Sequence, residues 1–271
     1  MKDVAPRPFF LPSQPTSLFA VYYPALTARG SWLFVPPFGE EMNKSRRMVA
    51  RQSRLFAKAG WNVLVVDLFA CGDSDGDFED ARWALWRQNL VDAWHWLAAQ
   101  STGPTGLWGL RLGGTMAVMV AEQEKLQPDK VLLWQPVIKG SNYLTQFLRL
   151  RTAASMLGSE GDKETPKLLR AKLDVGESLE IAGYSLNPSL AESIDTWDLG
   201  AMAPPADAVC WYELAVSADK PFSLPSQSVI QTWQQQGCRV QCRMLAGDSF
   251  WTTTEISESP ALLQASVEDI S

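Results

Sequence analysis

Two glycines frame the position where residue type and spacing most invite chemistry. Within Thr105–Ala117 the order is Gly109-Leu110-Arg111-Leu112-Gly113. An apolar strand, a tight turn and a helix start, with glycines flanking the central residue at a distance of two, form the setting in which G-x-S-x-G presents a serine for acyl transfer. Here the central residue is Arg111. A guanidinium stays protonated in proteins and has no lone pair to attack with. What it can do is hold an anion, because its charge, the helix dipole and the first free N–H groups of the helix converge at such a turn. The anion is either internal or a ligand's. A buried guanidinium without a partner is costly. Glu40, Glu41 and Glu213 are the internal candidates, and a ligand carboxylate, phosphate or uronic acid is the external one, with the fork geometry supplying specificity. Lys44, Arg46 and Arg47 follow closely enough to add to the positive potential.

Other residues could carry a reaction. A Ser-His-Asp site needs an imidazole, and the chain has one histidine, His95, on the helix before the elbow strand rather than after the last strand. The segment Gly247-Asp248-Ser249-Phe250-Trp251, where that histidine is expected, has none. Glu213 or Asp219 could fill the acid position but would have no base to orient. Cys71 and Ser74 lie in a loop after the Asp67 strand and are the alternative nucleophiles, each without a visible histidine partner. Asp73, Asp75 and Asp77 alternate around Gly76 and superficially suggest a calcium loop, but the twelfth-position glutamate is missing. Asp73 and Ser74 are expected to tie the loop to its own backbone. No metal and no cofactor is expected.

The elements that must position these groups follow a regular rhythm. Phe9–Leu11 and Leu18–Tyr23, parted by Pro12-Ser13-Gln14-Pro15, predict an opening antiparallel hairpin. Ser31–Val35, Trp61–Asp67 and Lys130–Trp134 are nearly all-apolar runs, as in strands buried on both faces. Helices are expected over Lys44–Ala59, Asp80–Ala99 and Gly114–Gln123, the second with a stripe of Trp83, Trp86, Leu90, Trp94 and Leu97. Strands alternating with helices predict an α/β fold with a mostly parallel, doubly wound sheet. The rhythm breaks between Gln135 and Pro205. That stretch is more polar, has helical pieces at Tyr143–Ser155 and Thr165–Ala171, and carries loop signals at Gly158, Gly161, Gly176 and Asn187-Pro188. Residues 141–200 are therefore expected to form an inserted cap on a core of residues 1–140 and 201–271. The alternation resumes with a strand at Ala208–Leu214, a helix at Ser226–Gln236, a strand at Arg239–Leu245, and Pro260–Ser266 near the end.

Bulk properties exclude some classes. The 271 residues are 46% hydrophobic and 20% charged, ordinary for a globular protein. A net charge of -6 argues against a nucleic-acid partner. Met1–Pro6 has no apolar leader region, and no run is long enough to span a membrane, so a cytoplasmic setting with reduced thiols is expected. Four scattered cysteines and one histidine do not form a zinc pattern. Twelve tryptophans suggest an aromatic core, with an aromatic-lined pocket as the functional alternative.

In this order the elements resemble the α/β-hydrolase fold. Val35-Pro36-Pro37-Phe38-Gly39 sits where that fold has its oxyanion loop, and Asp67–Gly76 resembles its D-x-x-G-x-G-x-S-x-G loop. Pro36–Met48, Gly72–Phe78, Asp80–Trp83 and Trp108–Gly113 also resemble the "hydrolase 2, exosortase A system-associated" family. Its members belong to bacteria with the PEP-CTERM sorting and exopolysaccharide system, and its substrate is not established. The resemblance implies a bacterial, cytoplasmic protein of hydrolase ancestry. Together with the missing triad it suggests a protein that binds an acidic small molecule, a saccharide, a protein partner or a second copy. The residues expected to line that site are Arg111, Phe38, Gly39, Glu40, Glu41, Leu112 and Trp251. An esterase- or thioesterase-like enzyme with non-standard catalytic residues is the alternative.

Overall fold

A computed structural model describes residues 5–14, 16–157 and 164–270. The loop signals at Gly158 and Gly161, the Pro15 of the hairpin turn and Met1–Val4 of the expected leaderless start lie outside the described residues. The chain opens with β1 (Arg7–Ser13), β2 (Thr16–Tyr23), β3 (Gly30–Val35), α1 (Glu40–Lys58), β4 (Trp61–Val66) and α2 (Trp83–Ala98). It continues through β5 (Thr105–Leu110), α3 (Leu112–Gln123) and β6 (Lys130–Trp134). Then come α4 (Gly140–Leu157), α5 (Pro166–Asp174), β7 (Leu179–Ile181), β8 (Tyr184–Leu186) and α6 (Pro188–Thr196). The last elements are β9 (Ala208–Ala215), α7 (Leu224–Gln235), β10 (Arg239–Ala246) and α8 (Pro260–Ile270).

Among the described residues eight strands form one sheet in the order β1-β2-β4-β3-β5-β6-β9-β10. Pairing is antiparallel for β1–β2 and β2–β4 and parallel elsewhere. Every residue of β3 and β5 is buried, which explains why neither carries a charged side chain: helices cover both faces. The face carrying α2, α3 and α7 holds one hydrophobic cluster, and the face carrying α1 and α8 holds another. Trp32, Trp86, Trp108, Trp134, Trp211 and Trp233 are fully buried, so half of the tryptophans serve as core rather than as pocket lining.

The expected boundaries move in places. α1 begins at Glu40 instead of Lys44, because Gly39 turns the chain at φ 57 and Glu40 and Glu41 then lie in the first turn, where carboxylates favour the helix dipole. α2 begins at Trp83, with Phe78–Asp80 as a separate 3-10 turn. α3 starts at Leu112, directly after Arg111. The inserted stretch holds more structure than expected. Ala182 and Gly183, both at positive φ, join β7 and β8 by the two-residue turn that hairpins favour. Asn187-Pro188 starts a helix: the Asn187 side chain accepts from Ser189 N, and proline fits the first helical position.

Candidate functional site: an arginine at the elbow

The turn after β5 is held by its glycines. A Cβ on Gly113 would lie 2.2 Å from Val35 O, and one on Gly109 would lie 2.5 Å from Gly114 Cα. Helix α3 can approach the sheet end only if both are glycine. Arg111 itself has φ 55 and ψ -123, a region costly for a side-chain-bearing residue. Its N–H donates to Trp134 O, and its carbonyl accepts from Gly114 N and Val137 N, which hold it there. Gln135, directly after the neighbouring strand β6, also has positive φ, as does Ala70 in the loop after β4. Three strained non-glycine residues thus gather along the carboxyl edge of the sheet.

The Arg111 side chain turns to an internal partner. Its Nε donates to Glu41 Oε1 at 3.2 Å, and its Nη1 donates to Gln135 O at 3.4 Å. The other Glu41 oxygen, Oε2, accepts from the Tyr143 hydroxyl at 3.0 Å. Tyr143 and Trp251 lie with ring centroids 5.7 and 5.4 Å from the guanidinium carbon. Arg111 and Glu41 are 16% and 15% exposed, so the pair is largely desolvated. Burial pushes the Glu41 carboxyl above the usual carboxylate range, opposed by the Arg111 charge and by hydrogen bonds from Tyr143 and Arg111. Burial and then the neighbouring Glu41 charge hold the Tyr143 phenol well above its ordinary value, so it remains a donor.

Of the three carboxylates considered for Arg111, Glu41 is the one in contact. Glu40 accepts from Asn43 Nδ2 and the Tyr184 hydroxyl. Glu213 is buried in β9 and accepts from Trp211 Nε1. Asp219 and His95 are exposed and lie in a loop and on α2. Phe38 and Leu112 are buried, Phe38 within a ring cluster that includes Phe78, Trp86, Tyr143 and Phe147. Either can offer a ligand only its backbone. Lys44 reaches Thr252 O at 3.3 Å, and Arg47 pairs with Glu258. Neither has an ion pair or hydrogen bond to the elbow among the described residues.

The alternative nucleophiles have other tasks. Ser74 Oγ donates to Asp67 O at 2.6 Å and accepts from Phe19 N at 2.8 Å, and Asp67 N donates to Phe19 O at 2.9 Å. The Cys71 thiol is pushed up by burial and by the Asp67 carboxylate, the opposite of what thiolate chemistry needs. Among the described residues no group of three or more His, Cys, Asp or Glu is arranged to hold a metal ion. The Asp77 side chain instead caps the Phe78–Asp80 turn. Between α1, the 70–73 loop and the β7–β8 turn a cavity of about 530 Å³ opens, with Gly39 the one expected ligand residue in its lining.

Tyr143 was not among the expected site residues. It stands on α4, 102 residues from its partner Glu41, as one ring in a helix of mixed polarity. Gln135 contributes a carbonyl, which any residue would supply.

Comparisons with known proteins come to the same fold. The structure resembles Est1E from Butyrivibrio proteoclasticus, solved with ferulic acid bound, with a TM-score of 0.65, 14% identity and 97% of each chain covered. It also resembles a thermostable carboxyl esterase from Bacillus coagulans in complex with glycerol, with a TM-score of 0.64, 13% identity and 98% of each chain covered. XC6422 from Xanthomonas campestris, described as an a/b serine hydrolase without lid, gives a TM-score of 0.60 at 13% identity over 100% of this chain and 97% of that one. At such identities the likeness shows the α/β-hydrolase fold alone. A comparison with curated protein sequences finds no match. Among the described residues no helix is long and apolar enough to cross a membrane. The family model described as X-Pro dipeptidyl-peptidase (S15 family) matches residues 20–156, which contain the elbow, Glu41 and almost all of α4. With just over half of its length matched, the chain belongs to the X-Pro dipeptidyl-peptidase (S15) family.

Proposed function

We propose that this protein is a non-hydrolytic member of the α/β-hydrolase fold that binds a small molecule bearing an acidic group. One observation carries the reading: the position that would hold the nucleophile is Arg111, and its charge is already neutralised by Glu41 under Tyr143 and Trp251. No imidazole stands by it, and a buried guanidinium–carboxylate pair has no lone pair poised for an acyl carbon. The elbow then serves as an internal clasp joining β5, α1 and α4. Ligand binding falls to the open cavity between α1, the 70–73 loop and the β7–β8 turn. Residues 141–200 act in this reading as a cap, with Tyr143 and Tyr184 as the contacts that seat them on α1. The resemblance of Pro36–Met48 and the neighbouring segments to the exosortase A-associated hydrolase 2 family supports a role beside the PEP-CTERM and exopolysaccharide system in the bacterial cytoplasm.

The test is turnover. Purified protein is assayed with short p-nitrophenyl esters and X-Pro p-nitroanilides, and labelled with serine- and thiol-directed probes. The expected result is background hydrolysis and no stoichiometric label. Turnover that survives purification and disappears with Ser74→Ala or Cys71→Ala would overturn the reading in favour of a rearranged hydrolase.

A further inference from the structure

The cavity between α1, the 70–73 loop and the β7–β8 turn carries two charges that do not meet. Arg46, on α1, and Asp73, in the loop after β4, both line it. Each is anchored to the same buried oxygen: Arg46 Nη2 and the Asp73 backbone N–H donate to Asp67 Oδ2 at 2.9 and 3.0 Å. Asp67 therefore takes up one arm of the Arg46 fork. Arg46 Nε makes only a long 3.5 Å contact with Asn43 Oδ1, and Nη1 has no partner among the described residues. The Asp73 carboxylate likewise has no partner among them, and the two side chains form no ion pair with each other. The facing wall is apolar and aromatic. Phe78 and Tyr184 meet edge to face with centroids 5.0 Å apart, and Met42 adjoins them.

We propose that this cavity binds a zwitterionic α-amino acid with an aromatic or large apolar side chain. Its carboxylate docks on the free arm of Arg46, its ammonium on Asp73, and its side chain against Phe78, Tyr184 and Met42. Each part of the lining then has a counterpart. Asp67 holds the Arg46 guanidinium and the Asp73 backbone on one oxygen, so the two charged residues share one wall, and an α-amino acid carries opposite charges on a single carbon. A purely anionic ligand would leave Asp73 repelling it, and a purely cationic one would meet Arg46. A volume of about 530 Å³ falls within the ~300–1,000 Å³ of small-molecule sites. Ala70 beneath the cavity is held at φ 63, in keeping with strain concentrated where ligands bind.

This inference rests on the non-hydrolytic reading of the elbow but is tested apart from it. Isothermal titration of the full chain compares L-phenylalanine with phenylalaninamide, which lacks the carboxylate, and N-acetylphenylalanine, which lacks the ammonium. Saturable one-to-one binding of L-phenylalanine is expected, weakened about tenfold or more in each analogue, the equivalent of losing one charged contact. Asp73→Asn, on an exposed side chain, is expected to cause a similar loss with unchanged thermal stability. Arg46→Lys keeps a charge for Asp67 but removes the fork, and is expected to weaken the free acid while leaving the amide unaffected. No binding of L-phenylalanine, equal binding of all three compounds, or full affinity in Asp73→Asn would overturn the proposal. Binding accompanied by turnover of the ester substrates would instead overturn the non-hydrolytic reading while leaving the pocket in place.

Discussion

Glu41 Oε1 and Arg111 Nε stand 3.2 Å apart, joining the first turn of α1 to the turn that ends β5. The pair lies at the carboxyl end of β5 and is largely removed from solvent. Desolvating both charges offsets much of their attraction, so an intact pair of this kind adds little net stability, whereas losing one partner is costly.

Removing one member exposes that dependence. Glu41→Ala leaves a guanidinium buried without its carboxylate and is expected to cost about 3 kcal/mol in denaturant unfolding. The Glu41→Ala, Arg111→Ala double variant should lose clearly less than the sum of the two single losses, because the contacting pair is coupled. Additive losses would show that the two side chains act independently.

Stability should respond to pH with opposite signs at two glutamates. Burial raises the folded-state value of Glu41, so its contribution is full below the unfolded carboxyl value of about 4.3 and is lost as pH rises through the folded value. Hydrogen bonds from Arg151, followed by Lys172, lower that of Glu164 despite a smaller opposing effect of burial. Its contribution is present above the unfolded value and is lost as pH falls through the folded one. The stability gap between wild type and Glu41→Gln should therefore widen in acid, and the gap for Glu164→Gln should narrow. Chemical denaturation at a series of pH values measures both.

Gly113→Ala tests whether the elbow is tightly closed. The added methyl would meet Val35 O at 2.2 Å, which is backbone and cannot swing aside. A loss of about 1–3 kcal/mol is expected from such overpacking. An unchanged melting temperature would mean that α3 does not pack as described.

Ser74→Ala removes both a donor and an acceptor from a buried position. A loss of about 1–2 kcal/mol is expected, since Phe19 N and Asp67 O each lose a partner. The measurement that checks it is thermal unfolding.

The sheet was legible because burial on both faces leaves an unmistakable mark. Trp61–Val66 and Lys130–Trp134 are apolar at nearly every position, and the structure begins and ends those strands within a residue of the expected bounds. The inserted stretch was less so. β7 and β8 are three residues each, too short for a two-residue period to show. At the elbow, the need for a counter-charge followed from Arg111 alone, but its identity did not. Glu40 and Glu41 are adjacent on one helix, about 100° apart around its axis. That rotation sends Glu41 to Arg111 and Glu40 to Tyr184. The helix start that sets this phase was expected four residues later, at Lys44. Tyr143 joins over 102 positions, a separation that no local pattern reports.

The bonds that run from Phe19 through Ser74 to Asp67, and from Asp67 on to Arg46, lace strand β2, the loop after β4 and helix α1 into one unit. A loop on the surface is ordinarily where amide protons exchange quickly, through small local openings. Here opening the loop means unlacing a strand and a helix with it. The Phe19 and Asp73 amide protons should therefore exchange slowly and together, at a rate nearer that of the sheet's interior than that of neighbouring turns.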